Sequence, residues 1–442
     1  MAERIVRGGG LLVGVDEPLR FGWGVWIADG RVGEVGPNDE LAARHAGAEI
    51  LNAEELLLMP GLIDAHLHAY GRLAHGLVAD DPPDGFYPFL ADYWWPEVED
   101  RLDEAMIEAA MQHACCQMIR SGVTGFCDVL EAPNAPAGVL DVEADVVHAA
   151  GLRAVLMTEA SERISTARGE WLLEENAAFA RAHRDDTRVR GMLCLHTSFT
   201  CSESFVRRAR GMMDDLSCDL HLHLSESPHE PETCRRRYGT RPVDWYDRMG
   251  LWGRDVLASQ VVSVTDDELE TLAGRGVRVA HMPLSNCEVG GGVAPVPGMI
   301  ARGMRPGLGT DGYIGDLFEV MRGAFLIHKG VLQSPKAMPA SAVLHMATDW
   351  GAAAIGLENV GRLDPGYSAD LIGLDCRFDT PVTPRNALDQ VVLFRGAGDV
   401  RLSIVAGDIL LNDRRLLTMD EERARGVLAE QARRLWRGAV PQ

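Results

Sequence analysis

Two His-x-His pairs dominate the chemistry this sequence can offer. His66 and His68 lie in the apolar run LLLMPGLIDAHLHAYG, and residues two apart on a strand project from the same face. Two imidazoles then converge on one point. The run CDLHLHLSES repeats the arrangement with His221 and His223 and adds Glu226 just past the strand end, while GMRPGLGTDG puts Asp311, followed by Gly312, at the end of another. A His-x-His pair alone fits two buried, hydrogen-bonded histidines equally well. Its recurrence beside Glu226 and Asp311 favours three imidazoles and a carboxylate, a nitrogen and oxygen set suited to Zn²⁺ or Fe²⁺ with a position left for water.

Such a set needs strands whose ends all open on one side. From about Leu58 to Ala354 short apolar runs alternate with helical periodicity, as in MIEAAMQHACCQMIRSG followed by VTGFCDVL. Repeated βα units predict a parallel sheet, and seven or eight of them predict an α/β fold of the (β/α)8 barrel type, over residues 58–357. The first stretch has the punctuation of hairpins, as in GVWIADGRVGEVG, and β patterning returns after Gly361 in ADLIGLD, QVVLFRG and LSIVAGDILLNDRRLL. Residues 1–57 and 358–419 are therefore expected to pair as a small antiparallel β-sandwich built from both chain ends. An amphipathic helix from about Asp420 to Arg437, within a terminal segment 420–442, closes the chain.

The 442 residues carry 65 acidic against 43 basic side chains, a formal charge of −22, which repels phosphate backbones and anionic lipid. Nucleic acid and membrane are not expected partners. No run approaches the roughly 18 apolar residues of a membrane helix, and Met1–Gly10 lacks the apolar stretch of a secretion signal, so the expected address is the cytoplasm. Nine cysteines without a Cys-x-x-Cys pair read as reduced core residues. Met111, Cys115 and Met118, at helical spacing, are read as core packing, and the run RRRYG (Arg235–Gly239) as a solvated loop.

With these motifs in hand, the chain resembles the amidohydrolase superfamily, in the branch of methylthioadenosine/S-adenosylhomocysteine deaminases, triazine chlorohydrolases and SsnA-type aminohydrolases. The resemblance runs through PGLIDAHLH, FLADYWWPEVEDRL, LHTSFTCS, HLHLSES, AHMPLSN, GLGTDG and GRLDPGYSADL. It implies metal ligands at His66, His68, His223 and Asp311, with His223 preferred to His221 because the family's ligand lies three residues before a catalytic glutamate, here Glu226. It implies catalytic roles for Glu226, Asp311 and His196, and places Gln260, Trp94 and His281 at or beside the substrate. Adjacent tryptophans on a helix face different ways, so only one of Trp94 and Trp95 is expected to wall the site. Family members with two metals bridge them with a lysine on the fourth strand. Both lysines here, Lys329 and Lys336, follow Asp311, so one divalent cation per chain is expected, Zn²⁺ ahead of Fe²⁺.

Two departures stand out. The deaminases carry a histidine where LASQVVSV places Gln260, and the segment GYIGDLF after Thr310-Asp311-Gly312 is shorter than the family's. The expected function is hydrolytic deamination of an amino-substituted nitrogen heterocycle of purine, pterin, pyrimidine or triazine type. The alternatives are release of chloride or an alkylamine from a similar ring, and a catalytically degenerate barrel that binds without turnover. The resemblance also implies a homodimer or higher homo-oligomer.

Overall fold

A parallel strand pair needs a crossover between its members, and the N-terminal segment provides one. The computed structural model describes residues 3–78, 81–312 and 314–437. In it, Arg4–Leu11 pairs antiparallel with Trp23–Ala28, which turns through Asp29-Gly30 into Arg31–Pro37. Both turn residues have positive φ, 50° and 74°, as a tight right-twisting hairpin requires. After the helix Asn38–Arg44 the chain returns as Glu49–Pro60, parallel to Arg4–Leu11. Glu49–Pro60 then pairs antiparallel with Leu371–Asp375, far along the chain, and Val400–Val405, Asp408–Asn412 and Arg415–Leu416 follow. With Arg20–Phe21, which pairs antiparallel with Arg4–Leu11, the hydrogen bonding joins nine strands, one pair of them parallel, where antiparallel pairing alone was expected.

Three further expectations are corrected. The run LLLMPGLIDAHLH holds two strands, because Leu57–Pro60 still belong to the end sheet and the barrel starts at Leu62, after Gly61. A Cβ on Gly61 would stand 2.1 Å from the Thr124 hydroxyl, so the chain can pass from sheet to barrel there only as glycine. QVVLFRG falls largely in a helix, Ala387–Phe394, whose buried Ala387, Gln390 and Val391 keep helical spacing. Arg235–Arg237 form the last turn of the helix His229–Tyr238, where basic side chains suit the negative end of the helix dipole. The C-terminal helix is Glu421–Trp436, capped by the Asp420 carboxylate; the tail 438–442 and Tyr313 of the GYIGDLF segment lie outside the described residues.

The barrel strands are Leu62–Leu67, Val123–Leu130, Arg153–Thr158, the two pieces Val189–Gly191 and Leu193–Leu195, Leu220–Leu224, Val256–Gln260, Arg278–His281 and Gly307–Leu308. They are counted below as the first to eighth. All pair in parallel, in one run of four and one of five. Bridges between Ala160 and Leu195 and between Leu67 and Asp311 join the two runs at both seams, closing the ring. Buried on both faces, these strands read as continuous apolar runs. Met111, Cys115 and Met118 are core residues, as expected. Among the described residues no helix is long and apolar enough to cross a membrane.

A buried ion pair fastens the end sheet to the barrel. Arg153, on the third barrel strand, donates from Nε to Asp370 Oδ2 (2.6 Å), and its other nitrogens reach Ser368 Oγ (2.5 Å) and the Thr187 carbonyl (2.7 Å). Asp370 is 1 % exposed and also accepts from the Ala406 amide (2.7 Å). Asp370→Ala strands the guanidinium without its counter-charge and is expected to cost about 3–5 kcal/mol. Urea unfolding checks this, with Arg153→Met/Asp370→Leu, which removes both charges, expected to lose less.

Candidate active site

The C-terminal ends of the barrel strands collect at one rim, and each donor side chain is fixed there by the backbone beneath it. Asp64, buried on the first strand, accepts from the Thr310 amide (3.0 Å) and hydroxyl (2.6 Å), and burial pushes its carboxyl up to about 7. This fastens the first strand to the segment that carries Asp311. The Asp311 amide donates to the His66 carbonyl (3.0 Å), and Asp311 itself sits at φ 60°. Strained backbone here turns the carboxylate towards the histidines.

His66, His68 and His223 each offer a nitrogen, and the three lie within 4.8 Å of one another. Two of them are tied from behind. His68 Nδ1 donates to the Val129 carbonyl (2.8 Å), which leaves Nε2 facing inward, 3.3 Å from Asp311 Oδ1. His66 Nδ1 meets His221 Nε2 (3.1 Å), and His221 Nδ1 meets Cys194 Sγ (3.5 Å). His221 thus has both ring nitrogens engaged away from the centre, stacked 5.0 Å from His66, and supports that ligand. His66 Nε2 is buried without a hydrogen-bond partner. An orphaned imidazole nitrogen grouped with two others, one of them against the Asp311 carboxylate, is what a divalent cation satisfies, so the residues fit one. Burial holds His66 well below the ordinary imidazole range and His223 down to about 3, keeping both neutral, as ligands must be.

The histidines open onto a cavity of about 370 Å³. Its wall includes His68, His196, His223, Glu226, Gln260 and Asp311, with Phe89, Tyr93, Trp94 and Trp95 opposite. Both tryptophans line it, against the expectation of one. The segment Phe89–Trp94 is a π-helical turn, wider than an α turn, so successive side chains diverge less. Glu226 is desolvated on this wall and lies near the charges of Asp311 and Glu131, which together push its carboxyl well above the usual range. His196 donates or accepts at Nδ1 with Thr200 Oγ1 (2.8 Å), and burial takes it down to about 3. His281 stays off the wall: it is wholly buried, with Nε2 3.1 Å from His328 Nε2.

Gln260 lines the cavity and is held at both ends of its amide. Its Nε2 donates to Asp311 Oδ2 (2.8 Å), and its carbonyl accepts from Asn286 Nδ2. Asn286 therefore fixes which end of the amide faces Asp311. Asn286→Ala is expected to keep metal content and to lower kcat about tenfold, with KM little changed, as the freed amide stops orienting Asp311. Steady-state kinetics beside metal analysis checks it.

Sequence reasoning missed Glu131 and Glu159. Each immediately follows a barrel strand, the second and the third, and the strand-end position that singled out Glu226 and Asp311 applies equally to them. Glu131 accepts a hydrogen bond from the Tyr70 hydroxyl (2.6 Å). Burial would raise it, but the imidazoles of His68 and His223 hold it well below the ordinary carboxylate range, while burial beside Glu131 drives Glu159 well above.

Comparison with known proteins agrees with this geometry. The amidohydrolase family profile matches residues 57–410. A 5-methylthioadenosine/S-adenosylhomocysteine deaminase of Nitratidesulfovibrio vulgaris is 34% identical over 404 residues, 89% of this chain and 88% of the relative. A 5'-deoxyadenosine deaminase of Methanosarcina mazei is 35% identical over 412 residues, 90% of each chain. Among solved structures, an adenosine deaminase from Xanthomonas campestris with bound zinc superposes with a TM-score of 0.90 at 24% identity, covering 98% of each chain. An atrazine chlorohydrolase from Arthrobacter aurescens gives 0.83 at 19% identity, covering 97% of this chain and all of that one.

Proposed function

The chain belongs to the amidohydrolase family, and from that premise we propose that it is a metal-dependent hydrolase that deaminates an amino-substituted nitrogen heterocycle. The observation that carries this reading is Glu226, its carboxyl pushed well above the usual range by burial, on the same cavity wall as Asp311, whose carboxylate stands 3.3 Å from His68 Nε2. His66, His68, His223 and Asp311 would hold one catalytic divalent cation, Zn²⁺ by the donor set. Bound there, the cation would supply the acidity that makes a water nucleophilic at neutral pH.

The side chains then divide the proton transfers. Asp311 accepts the proton of the attacking water and later delivers it to the departing ammonia. Glu226 donates to the ring nitrogen next to the carbon under attack, so negative charge does not build on the ring, and it recovers a proton from the hydroxyl added to that carbon as ammonia leaves and the carbonyl forms. His196 orients the substrate, Gln260 holds Asp311 through a neutral hydrogen bond, and Trp94 with Trp95 supplies an aromatic wall for a flat ring. His281, paired with His328 behind the wall, supports the strand end and does not touch substrate. The deaminases of adenosine-type compounds among the relatives favour a purine nucleoside over pterin, pyrimidine or triazine amines. We place the enzyme in the cytoplasm on the sequence reading above, and as a homodimer or higher homo-oligomer on the family resemblance.

Ammonia release is the test, screened over 5'-deoxyadenosine, 5'-methylthioadenosine, S-adenosylhomocysteine, guanine, and pterin, pyrimidine and triazine amines with the metal-replete protein. Release from at least one is expected; none from any, with metal bound, overturns the deaminase reading. Gln260 favours one second reading. An amide cannot accept a proton as the family's histidine does, and chloride departs without one, so chloride or alkylamine release from a triazine is assayed alongside. A protein that takes up no metal would be the degenerate barrel.

A further inference from the structure

Next to the three-histidine centre stands another group of donors, of which the proposed reaction uses only His196. Glu131, Glu159 and His196, from the ends of the second, third and fourth strands, meet His223 so that one donor atom of each lies within 4.8 Å of the others. The Glu159 side chain is 5 % exposed, and its Oε2 has no hydrogen-bond partner. That oxygen points at His196 Nε2 (3.7 Å) and His223 Nδ1 (3.8 Å), and the latter nitrogen is also unpartnered. Because Thr200 occupies His196 Nδ1, Nε2 is the ring nitrogen left to serve the cluster.

Glu131 and Glu159 are hydrogen-bonded to each other, and two carboxyl groups pressed together in a buried site require that a proton or a cation join them. The nearby guanidinium does not: Arg163 is spent on Glu99 (2.9 Å) and Asp100 (2.7 Å). We propose that Glu131, Glu159 and His196 form a second divalent-cation site adjoining the first, with Glu131 at the border between them. Glu131 Oε1 lies 3.9 Å from His68 Nε2 and 3.8 Å from His223 Nε2, so one carboxylate can serve both ions. With His223 given wholly to the first centre, two carboxylates and an imidazole still remain, and water completes the shell. His196 would hold this cation through Nε2, and its orienting effect on the substrate would then pass through the ion. The absence of a fourth-strand lysine does not bar a second ion, because the Glu131 carboxylate, just past the end of the second strand, would provide the bridge.

This inference rests on the reading of the first centre, and stoichiometry separates the two. Full-length protein stripped with a chelator is titrated with Zn²⁺ or Co²⁺, desalted and analysed for metal, as wild type and as Glu159→Gln. Two equivalents in wild type and one in Glu159→Gln are expected. No metal in wild type overturns the first centre and this one together. One equivalent in wild type, or two retained in Glu159→Gln, overturns the second site and leaves the first standing. Should Glu159→Gln fail to fold, the wild-type cobalt titration decides: the second equivalent is expected to broaden or quench the high-spin Co²⁺ resonance that the first builds up, and two independent additive signals overturn the proposal.

Discussion

Glu226→Gln protein is expected to bind metal as the wild type does and to lose turnover by about 10²–10⁴-fold, the usual worth of a positioned general acid. The substitution is close to isosteric and removes a carboxyl from a site where burial and the charges of Asp311 and Glu131 push it well above the usual range. The loss falls on kcat, since the amide still lines the cavity and can still hold a ring nitrogen. The sign of the pH dependence follows. An acid whose pKa is raised works while protonated, so wild-type activity falls as pH rises through that raised value, an alkaline limb belonging to Glu226. Full turnover in Glu226→Gln would remove Glu226 from the reaction.

The other large effect is metal removal. Stripping with a chelator is expected to abolish turnover and to lower the unfolding temperature, and returning Zn²⁺ is expected to restore both. A ligand at 1,000 times its Kd stabilises by about 4 kcal/mol, which differential scanning calorimetry resolves readily. The physical source is His66 Nε2, buried without a partner, and His68 Nε2 facing Asp311. Activity persisting with no detectable metal would sink the hydrolytic reading.

Much of this site was legible because strand alternation is a strong constraint. Two histidines separated by one residue share a face, and two such pairs with acids at strand ends leave few other arrangements; His66, His68, His223 and Asp311 do converge. The choice of His223 over His221 came from the resemblance, whose ligand stands three residues before a glutamate; in the structure His223 groups with His66 and His68 while His221 turns to Cys194. Glu131 and Glu159 were missed because each is a single acid after an apolar run, with no partner nearby in sequence; their juxtaposition exists only once the second and third strands lie side by side. Gln260 was visible as a departure, but not that Asn286, 26 residues on, would set the amide's direction. In the fold, LLLMPGLIDAHLH hid a boundary because both of its strands are buried, so hydropathy does not change across Gly61. QVVLFRG misled through consecutive β-branched residues, whose strand-like texture outweighed the helical spacing of Ala387, Gln390 and Val391.

The pairing of Glu49–Pro60 with Leu371–Asp375 has a consequence for how this protein is made. Leu56 is hydrogen-bonded in register opposite Asp375, and Pro60 opposite Leu371. During synthesis one edge of that long apolar strand therefore waits, unpaired, until the whole barrel has left the ribosome, at about 5–20 residues per second. An open strand edge is a template for pairing with another chain. The vulnerable period of this protein's biogenesis thus lies in its N-terminal sixty residues, and crowded expression at high temperature should penalise it there, before any part of the catalytic rim has been put to use.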